Sequence, residues 1–298
     1  MDYHNPVLLE ETVEGLNIKE DGVYVDVTFG GGGHSREILK HLNKEGKLIA
    51  FDQDYDALLN TIDDPRFLLI NENFRYIKRF LRFHGFKKVD GILGDFGVSS
   101  HQFDKAERGF STRFDANLDM RMNQQDKLSA YNLVNEYDET DLRKVFWQYG
   151  ELRQAPIFAR TIVAERKNKP IKTTEQLKKV LKKHMPERRE NKILAQIYQA
   201  IRIEVNQEIE ALKEFLMQTE ELLEKGGRLS LISYHSLEDR MVKRYIRDGM
   251  FEGQPEKDVF GNVEVPFKRV GKLIIPTQKE INNNNRARSA KLRIAERI

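Results

Sequence analysis

The residues best placed for chemistry are a run of glycines and two aspartates. Asp26 opens the segment Asp26-Val27-Thr28-Phe29-Gly30-Gly31-Gly32-Gly33-His34-Ser35. Glycines there let the backbone take up positive φ and approach a ligand closely. Asp52 lies twenty residues beyond Gly32, at the end of a second apolar run. In an open α/β sheet an acidic residue at that place hydrogen-bonds a ribose hydroxyl, and the ligand lies outside the carboxyl ends of the strands. Asp95 ends a further apolar run, in Gly94-Asp95-Phe96-Gly97-Val98-Ser99-Ser100, and overlooks the same crevice. It is suited to accept a hydrogen bond from a cofactor or a substrate amine; the bland alternative is a turn residue. The pattern points to a nucleoside-containing cofactor.

The glycine spacing narrows the cofactor. A dinucleotide fingerprint needs Gly-x-Gly-x-x-Gly or Ala, but the third position is Ser35 or Arg36, depending on which glycine starts the count. No Gly-Lys-Ser/Thr is present there for a phosphate-binding P-loop. The spacing Asp-x-x-x-Gly-x-Gly, from Asp26 to Gly32, instead resembles the first motif of class I methyltransferases that use S-adenosylmethionine (SAM). A nicotinamide oxidoreductase and a non-catalytic protein with a retained SAM fold are the competing readings.

Other residues are open to two interpretations. His235 and Ser233 follow a later apolar run, where His235 would position a base or relay its proton, or else be a satisfied structural histidine. Asp119 and Arg121 are candidates for a substrate cleft, or a structural ion pair. There is no cysteine, which excludes disulfides, zinc thiolate sites and thiol catalysis, and no metal-binding cluster is evident.

These residues must be positioned by elements that alternate over the first hundred residues. Strands are expected at 23–27, 47–52, 67–70 and 89–95, and helices at 34–42, 54–61 and 76–84, with a short helix opening at Asn5-Pro6. Apolar strands alternating with helices imply a parallel sheet covered on both faces. From about 104 to 184 no strand is expected, and helices are read at 138–149, 155–167 and 174–184, with Thr173 and Gln176 as a capping box. Ile197, Ile201, Val205, Ile209, Leu212, Leu216, Thr219 and Leu223 make one stripe, read as a single long helix ended by Gly226-Gly227. A strand at 228–233, a helix at 237–247 and a last strand at 290–294 follow; 253–276 reads as irregular, with Val263 to Val265 a weak strand. The resulting organisation is a SAM-binding α/β domain, 1–104 and 205–298, interrupted by a helical domain, 105–204.

Composition supports a globular chain of 298 residues, 39% hydrophobic, with a net charge of only +3. Charge is uneven, however. Lys167, Lys169, Lys172, Lys178, Lys179, Lys182, Lys183, Arg188, Arg189 and Lys192 face only Glu175, Glu187 and Glu190. Arg286, Arg288, Lys291, Arg293 and Arg297 face only Glu296. Two basic segments on a nearly neutral protein suggest a bound polyanion; the bland alternative is a solvated helix face. No run approaches a membrane span and the N-terminus has no signal core, so a cytoplasmic protein is expected.

Several blocks together resemble the bacterial 16S ribosomal RNA cytosine-N4 methyltransferase family. They are 4–11, 25–35, 94–104, Arg108-Gly109-Phe110-Ser111, Leu118-Asp119-Met120-Arg121-Met122, Gln199 to Asn206, Ser233-Tyr234-His235-Ser236-Leu237-Glu238-Asp239-Arg240, and Arg286 to Arg293. They run in order over nearly the whole chain. The resemblance implies a class I (Rossmann-like) SAM-dependent methyltransferase domain with an inserted helical substrate-recognition domain. It implies SAM contacts at Gly32, Gly33, His34, Asp52, Phe74, Asp95 and Gln102, with Asp52 on the ribose and Phe74 on the adenine side. It implies a substrate in 16S rRNA, within the small ribosomal subunit or a late assembly intermediate, and neither a membrane nor a protein partner. Asn117 and Asn285 stand where the family usually has proline, which affects loop stiffness more than chemistry. Many amino-methyltransferases carry a tetrapeptide of Asp, Asn or Ser, then Pro-Pro and an aromatic residue; here Asp95 is followed by Phe96-Gly97.

Overall fold

The structure is a computed structural model that describes residues 6–255 and 263–298. The chain divides into two compact units, Met1–Gly97 with Ile209–Ile298, and Val98–Glu208. The divisions fall at 97/98 and 208/209, against the expected 104/105 and 204/205.

The first unit is built on a seven-stranded sheet. Its strands are β1 (Val23–Asp26), β2 (Lys47–Phe51), β3 (Phe67–Ile70), β4 (Val89–Asp95), β5 (Leu223–Ser233), β6 (Phe267–Ile274) and β7 (Lys291–Arg297). The order is β3-β2-β1-β4-β5-β7-β6. The first five strands are parallel, whereas β7 runs antiparallel to both β5 and β6. Strand order reverses between β1 and β4, so a crevice opens at the carboxyl ends of these two strands.

Alternation along the strands feeds two cores. Tyr24, Leu48 and Leu93 pack with Val13 of the helix Leu9–Gly15 and with Ile38 and Leu39 of Gly33–His41. Val25, Ile49, Ile92 and Leu229 pack instead with Ile77 and Leu81 of Ile77–Phe83, with Leu212, Phe215 and Leu216 of Glu208–Leu222, and with Val242 and Ile246 of Ser236–Asp248. Both faces are covered, which is why the parallel strands read as continuous apolar runs.

The second unit is helical. Ala130–Glu136, Glu139–Gln148, Ala155–Arg166, Thr174–Lys182 and Glu190–Asn206 bury Leu133, Phe146, Phe158, Leu177 and Ile201. Ser129 and Asn132 form a capping box, and Asp138 accepts from the Asp141 N–H at 2.7 Å. Thr173 accepts from Gln176 N–H, but Gln176 reaches Lys172 N–H at 2.7 Å, so the expected box is only half closed.

The structure departs from the sequence reading at several elements. The stripe from Ile197 to Leu223 belongs to two helices, Glu190–Asn206 and Glu208–Leu222, separated by Gln207 at φ 51°. Asn206 explains the break. Its Oδ1 accepts from Met122 N–H at 2.6 Å, and its Nδ2 donates to the carbonyls of Met120 (2.8 Å) and Arg202 (2.9 Å). The second helix ends at Leu222, before the glycines. Gly226-Gly227 lies within β5, where register jumps from Val89↔Leu223 to Gly91↔Arg228 and the exposed residues between them bulge out. Strand β6 lies where irregular chain was expected; it is an edge strand, mostly solvent-facing, so its apolar signal is weak. Val263 to Val265 joins no strand of the sheet. The segment 54–61 is a 3₁₀ helix, Tyr55–Asn60. Asn5 lies outside the described residues, and the first helix is entered through Leu8 in the left-handed region.

Candidate functional site

The glycine loop is held by its own backbone and by three neighbouring side chains. Gly32 N–H donates to Phe29 O at 2.7 Å, and Gly32, at φ +75°, precedes the helix Gly33–His41. Asn60 Nδ2 donates to Gly30 O at 3.0 Å and Arg36 Nη1 to Gly31 O at 2.5 Å. A Cβ on Gly32 would lie 2.8 Å from the Phe29 ring, and one on Gly33 would lie 2.1 Å from Pro6 Cγ. The turn therefore has room only for glycine at these two places.

Three carboxylates converge around this turn, at the carboxyl ends of β1, β2 and β4. Asp26, the last residue of β1, accepts from the Ser35 hydroxyl (2.7 Å) and Thr28 N–H (3.1 Å). Asp52 follows β2; its Oδ2 accepts from Gly30 N–H (2.8 Å) and its Oδ1 from Asp54 N–H (2.9 Å). Asp95 ends β4; its N–H donates to Thr28 Oγ1 at 2.6 Å. Asp95 Oδ1 is buried and has no hydrogen-bond partner among the described residues. Burial pushes all three carboxyls up to about 6, against the hydrogen bonds that favour the charged form.

The remaining expected residues fall in different settings. Phe74 opens a 3₁₀ turn capped by Asn73, which also bonds Gln53 at 2.7 Å. Its ring lies edge-on to Phe215 at 5.5 Å and tilted to Phe96 at 5.8 Å. The next residue, Arg75, makes a two-pronged bond to Glu214, at 2.8 and 2.6 Å, which anchors this turn. His34 is buried, and burial lowers its pKa, which favours the neutral ring. Its Nε2 lies 3.1 Å from Val7 O; a carbonyl only accepts, so Nε2–H donates there. Gln102 lies in the helical unit, where it closes a capping box with Ser99.

His235 is built in as a helix cap. Its Nδ1 accepts from Glu238 N–H at 3.4 Å, Glu238 Oε2 accepts from His235 N–H, and Nε2 lies 3.0 Å from Glu238 Oε1. The cap engages Nδ1, whereas the buried Nε2 makes no hydrogen bond among the described residues. Ser233 ends β5, with a buried Oγ that has no partner among the described residues. Asp119 and Arg121 pair within the helical unit, at 2.9 and 2.7 Å. Burial would raise the Asp119 pKa, but the bonds from Arg121 outweigh it and hold the carboxyl below its usual value. This pair lines a cavity of about 270 Å³ with Ser129, Tyr131 and Lys172.

The basic segments are partly used up in ion pairs. Lys178 and Lys182 meet Glu190, Lys179 meets Glu175, and Lys183 meets Glu165. In the C-terminal segment Lys291 and Arg293 both hold Asp239, and Arg297 holds Glu220. That segment is sheet and cap rather than a free basic tail. Sequence reasoning also passed over Thr28 as an individual group.

The sheet order with its reversed β7, the glycine turn after β1 and the acid after β2 define the class: a Rossmann-like α/β methyltransferase domain. The MraW methylase family model matches residues 1–298, and the chain belongs to that family, one of SAM-dependent methyltransferases. A protein of Christiangramia forsetii named ribosomal RNA small subunit methyltransferase H is 72% identical over 298 residues, covering 100% of this chain and 99% of that one. One of the same name from Flavobacterium johnsoniae is 70% identical, with the same coverage. Among solved structures, an rRNA methylase from Streptococcus thermophilus covers 97% of this chain and 93% of its own, at 14% identity and a TM-score of 0.42. Membership rests on the family model and the sequence relatives.

Proposed function

We propose that this enzyme transfers the methyl group of SAM to N4 of one cytidine in the decoding region of 16S rRNA, in the cytoplasm. The observation that carries the site is Asp95: a half-buried residue whose carboxylate has one buried, unpartnered oxygen, beside the glycine turn. The choice of RNA is supported by the names of the full-length relatives. Among the described residues no helix is long and apolar enough to cross a membrane.

The residues present fit the cofactor. Asp52 has spent one lone pair on each oxygen, and a carboxylate keeps about two more for ribose hydroxyls. The Gly30–Gly33 backbone would pass close to the ligand because no Cβ intervenes. Phe74 would present an aromatic edge on the adenine side. SAM, when bound, supplies a methyl group on a sulfonium, already a good leaving group.

The protein's task is then the weak nucleophile. The lone pair of cytosine N4 is delocalised into the ring. A carboxylate accepting its N–H raises its electron density and takes the proton lost as the N–C bond forms. Asp95 is poised for this above about pH 6, where it is ionised. The base must first leave its stack. Exposed Lys167, Lys169, Lys172, Arg188, Arg189 and Lys192 of the helical unit would hold RNA phosphates. The test is transfer of a labelled methyl group from SAM to small subunits and to naked rRNA from cells lacking this activity. Nucleoside analysis should find N4-methylcytidine. SAM binding without transfer to either RNA would refute the acceptor.

A further inference from the structure

We propose that the outer face of the helix Ile77–Phe83, with the turn that follows it, is a second contact for RNA, taking unpaired bases on Phe83 and Tyr76 and phosphates on Arg79 and Lys87. This rests on the proposed reading of the acceptor as RNA.

The sequence of this stretch is one-sided. From Asn73 to Val89 there are six Lys and Arg and five Phe and Tyr, with no Asp or Glu. The helix sorts them by face. Ile77 and Leu81, four residues apart, are buried in the core. Tyr76, Arg79, Arg82 and Phe83 step by three or four on the other side, and all four are exposed. Phe83 is 82% exposed and Tyr76 44%, so two aromatic side chains meet solvent with guanidinium groups between them. The Arg79 guanidinium lies 5.8 Å from the centre of the Phe80 ring, and the His84 ring stands edge-on to Phe83 at 5.1 Å.

The neighbouring helix Glu208–Leu222 answers only part of this charge. Glu214 holds Arg75, and Glu221 meets Lys78 and, at 3.8 Å, Arg82. Lys88 Nζ donates to Leu223 O at 3.2 Å. Arg79 and Lys87 have no acidic partner among the described residues. The same helix also fixes the start of Ile77–Phe83. Lys78 N–H donates to Gln218 Oε1 at 3.1 Å, and Gln218 Nε2 donates to Arg75 O at 2.7 Å. The face is therefore formed before any ligand arrives, which lowers the entropy cost of binding.

Interleaving selects the occupant. A helix lying on a membrane puts its cations and its apolar residues on different faces. The centre of a protein interface is poor in charge. Unpaired RNA uses both at once, rings for its bases and cations for its phosphates. The contact serves docking and not the chemistry. The helix runs from the carboxyl end of β3 to the amino end of β4, and its seven residues carry Phe83 about 10 Å away from the crevice side of the sheet.

The experiment compares wild type, Phe83→Ala, Phe83→Trp and the double variant Arg79→Gln with Lys87→Gln. Each is titrated with undermethylated small subunits, with naked 16S rRNA, and with a single-stranded RNA oligonucleotide and a duplex of the same length. If wild type methylates neither subunits nor rRNA, the acceptor reading falls, and the oligonucleotides alone decide this face. Phe83→Ala should bind rRNA and the single strand roughly five- to hundredfold more weakly, the range for one lost base stack, at an unchanged salt slope. Phe83→Trp should bind as tightly as wild type or tighter. The double variant should lower the log–log salt slope by up to about 2. Urea midpoints and SAM affinity should stay at wild-type values, because these side chains are exposed. Unchanged RNA affinity in Phe83→Ala, or an unmoved slope in the double variant, would overturn the proposal. So would a loss seen with whole subunits and not with naked rRNA, which would assign the face to a ribosomal protein. Binding to phosphatidylglycerol vesicles that depends on Phe83, where RNA binding does not, would assign it to a membrane.

Discussion

Substituting Gly32 by alanine should disable the glycine turn proposed to hold the cofactor, in a way the structure lets one size. Gly32 sits at φ +75°, where an L-residue pays about 1–2 kcal/mol. The new Cβ would lie 2.6 Å from Arg36 Nη1 and 2.8 Å from two atoms of the Phe29 ring. The arginine end is flexible and can move. The Phe29 ring cannot do so easily, because it is 3% exposed and packed 5.3 Å from Phe67. Overpacking of that kind costs about 1–3 kcal/mol. Alanine restricts the unfolded chain and returns roughly 0.4–1 kcal/mol. The net is about 2–4 kcal/mol of strain, or ~30- to 1000-fold in an equilibrium constant. The loop either stays and lowers stability, or shifts and lowers SAM affinity; the two losses together should match the strain. Urea denaturation and calorimetric SAM titration measure them. Gly85→Ala is the control: Gly85 also has positive φ, at +87°, but a Cβ there meets nothing within 4 Å. It should cost stability only, with SAM affinity unchanged. If Gly32→Ala binds SAM within about threefold of wild type and loses under ~0.5 kcal/mol of stability, steric packing does not define the turn.

Other consequences are open to direct measurement. Asn206→Ala removes three hydrogen bonds and strands a buried N–H and carbonyl, so urea denaturation should show a loss of about 2–4 kcal/mol; under 1 would mean the helix break has another cause. Asp26, Asp52 and Asp95 have folded pKa values raised to about 6, so the native state binds their protons more tightly than the unfolded chain does. Their contribution to the stability of the ligand-free protein should therefore grow as pH falls from 7 through 6 toward 4. Asp26→Asn should flatten part of that dependence in urea midpoints, and an unaltered slope would contradict the assignment. RNA affinity should fall steeply with salt, and replacing Lys167 and Lys169 by glutamine should reduce the log–log slope by up to about 2. Lys182→Gln, already matched by Glu190, should change it less; equal effects would argue against those phosphate contacts.

The glycine turn was legible because its signal is local. Positive φ at Gly32 and the approach of Pro6 to Gly33 demand glycine, so the residue type itself reports the geometry. The twenty-residue spacing from Gly32 to Asp52 is equally readable, since one helix and one strand occupy that length. Alternation of buried faces likewise exposed the parallel strands β1 to β4. His235 shows the limit: residue type and position suited a proton relay, but nothing along the chain showed that its ring also caps the helix Ser236–Asp248.

By itself, then, the sequence determined the class of sheet, the glycine turn after β1 and the acid after β2, because each depends on residues close together along the chain. Tertiary structure alone decided what depends on distant partners. It divided one apolar stripe into two helices, because Asn206 bonds to Met120 and Met122, more than eighty residues earlier. It made β6 a strand by pairing a mostly polar segment with β7 at the sheet edge. It turned Lys291 and Arg293 from free charges into the holders of Asp239. And it set the ends of β4 and β5 side by side, with Asp95 in register with Ile232.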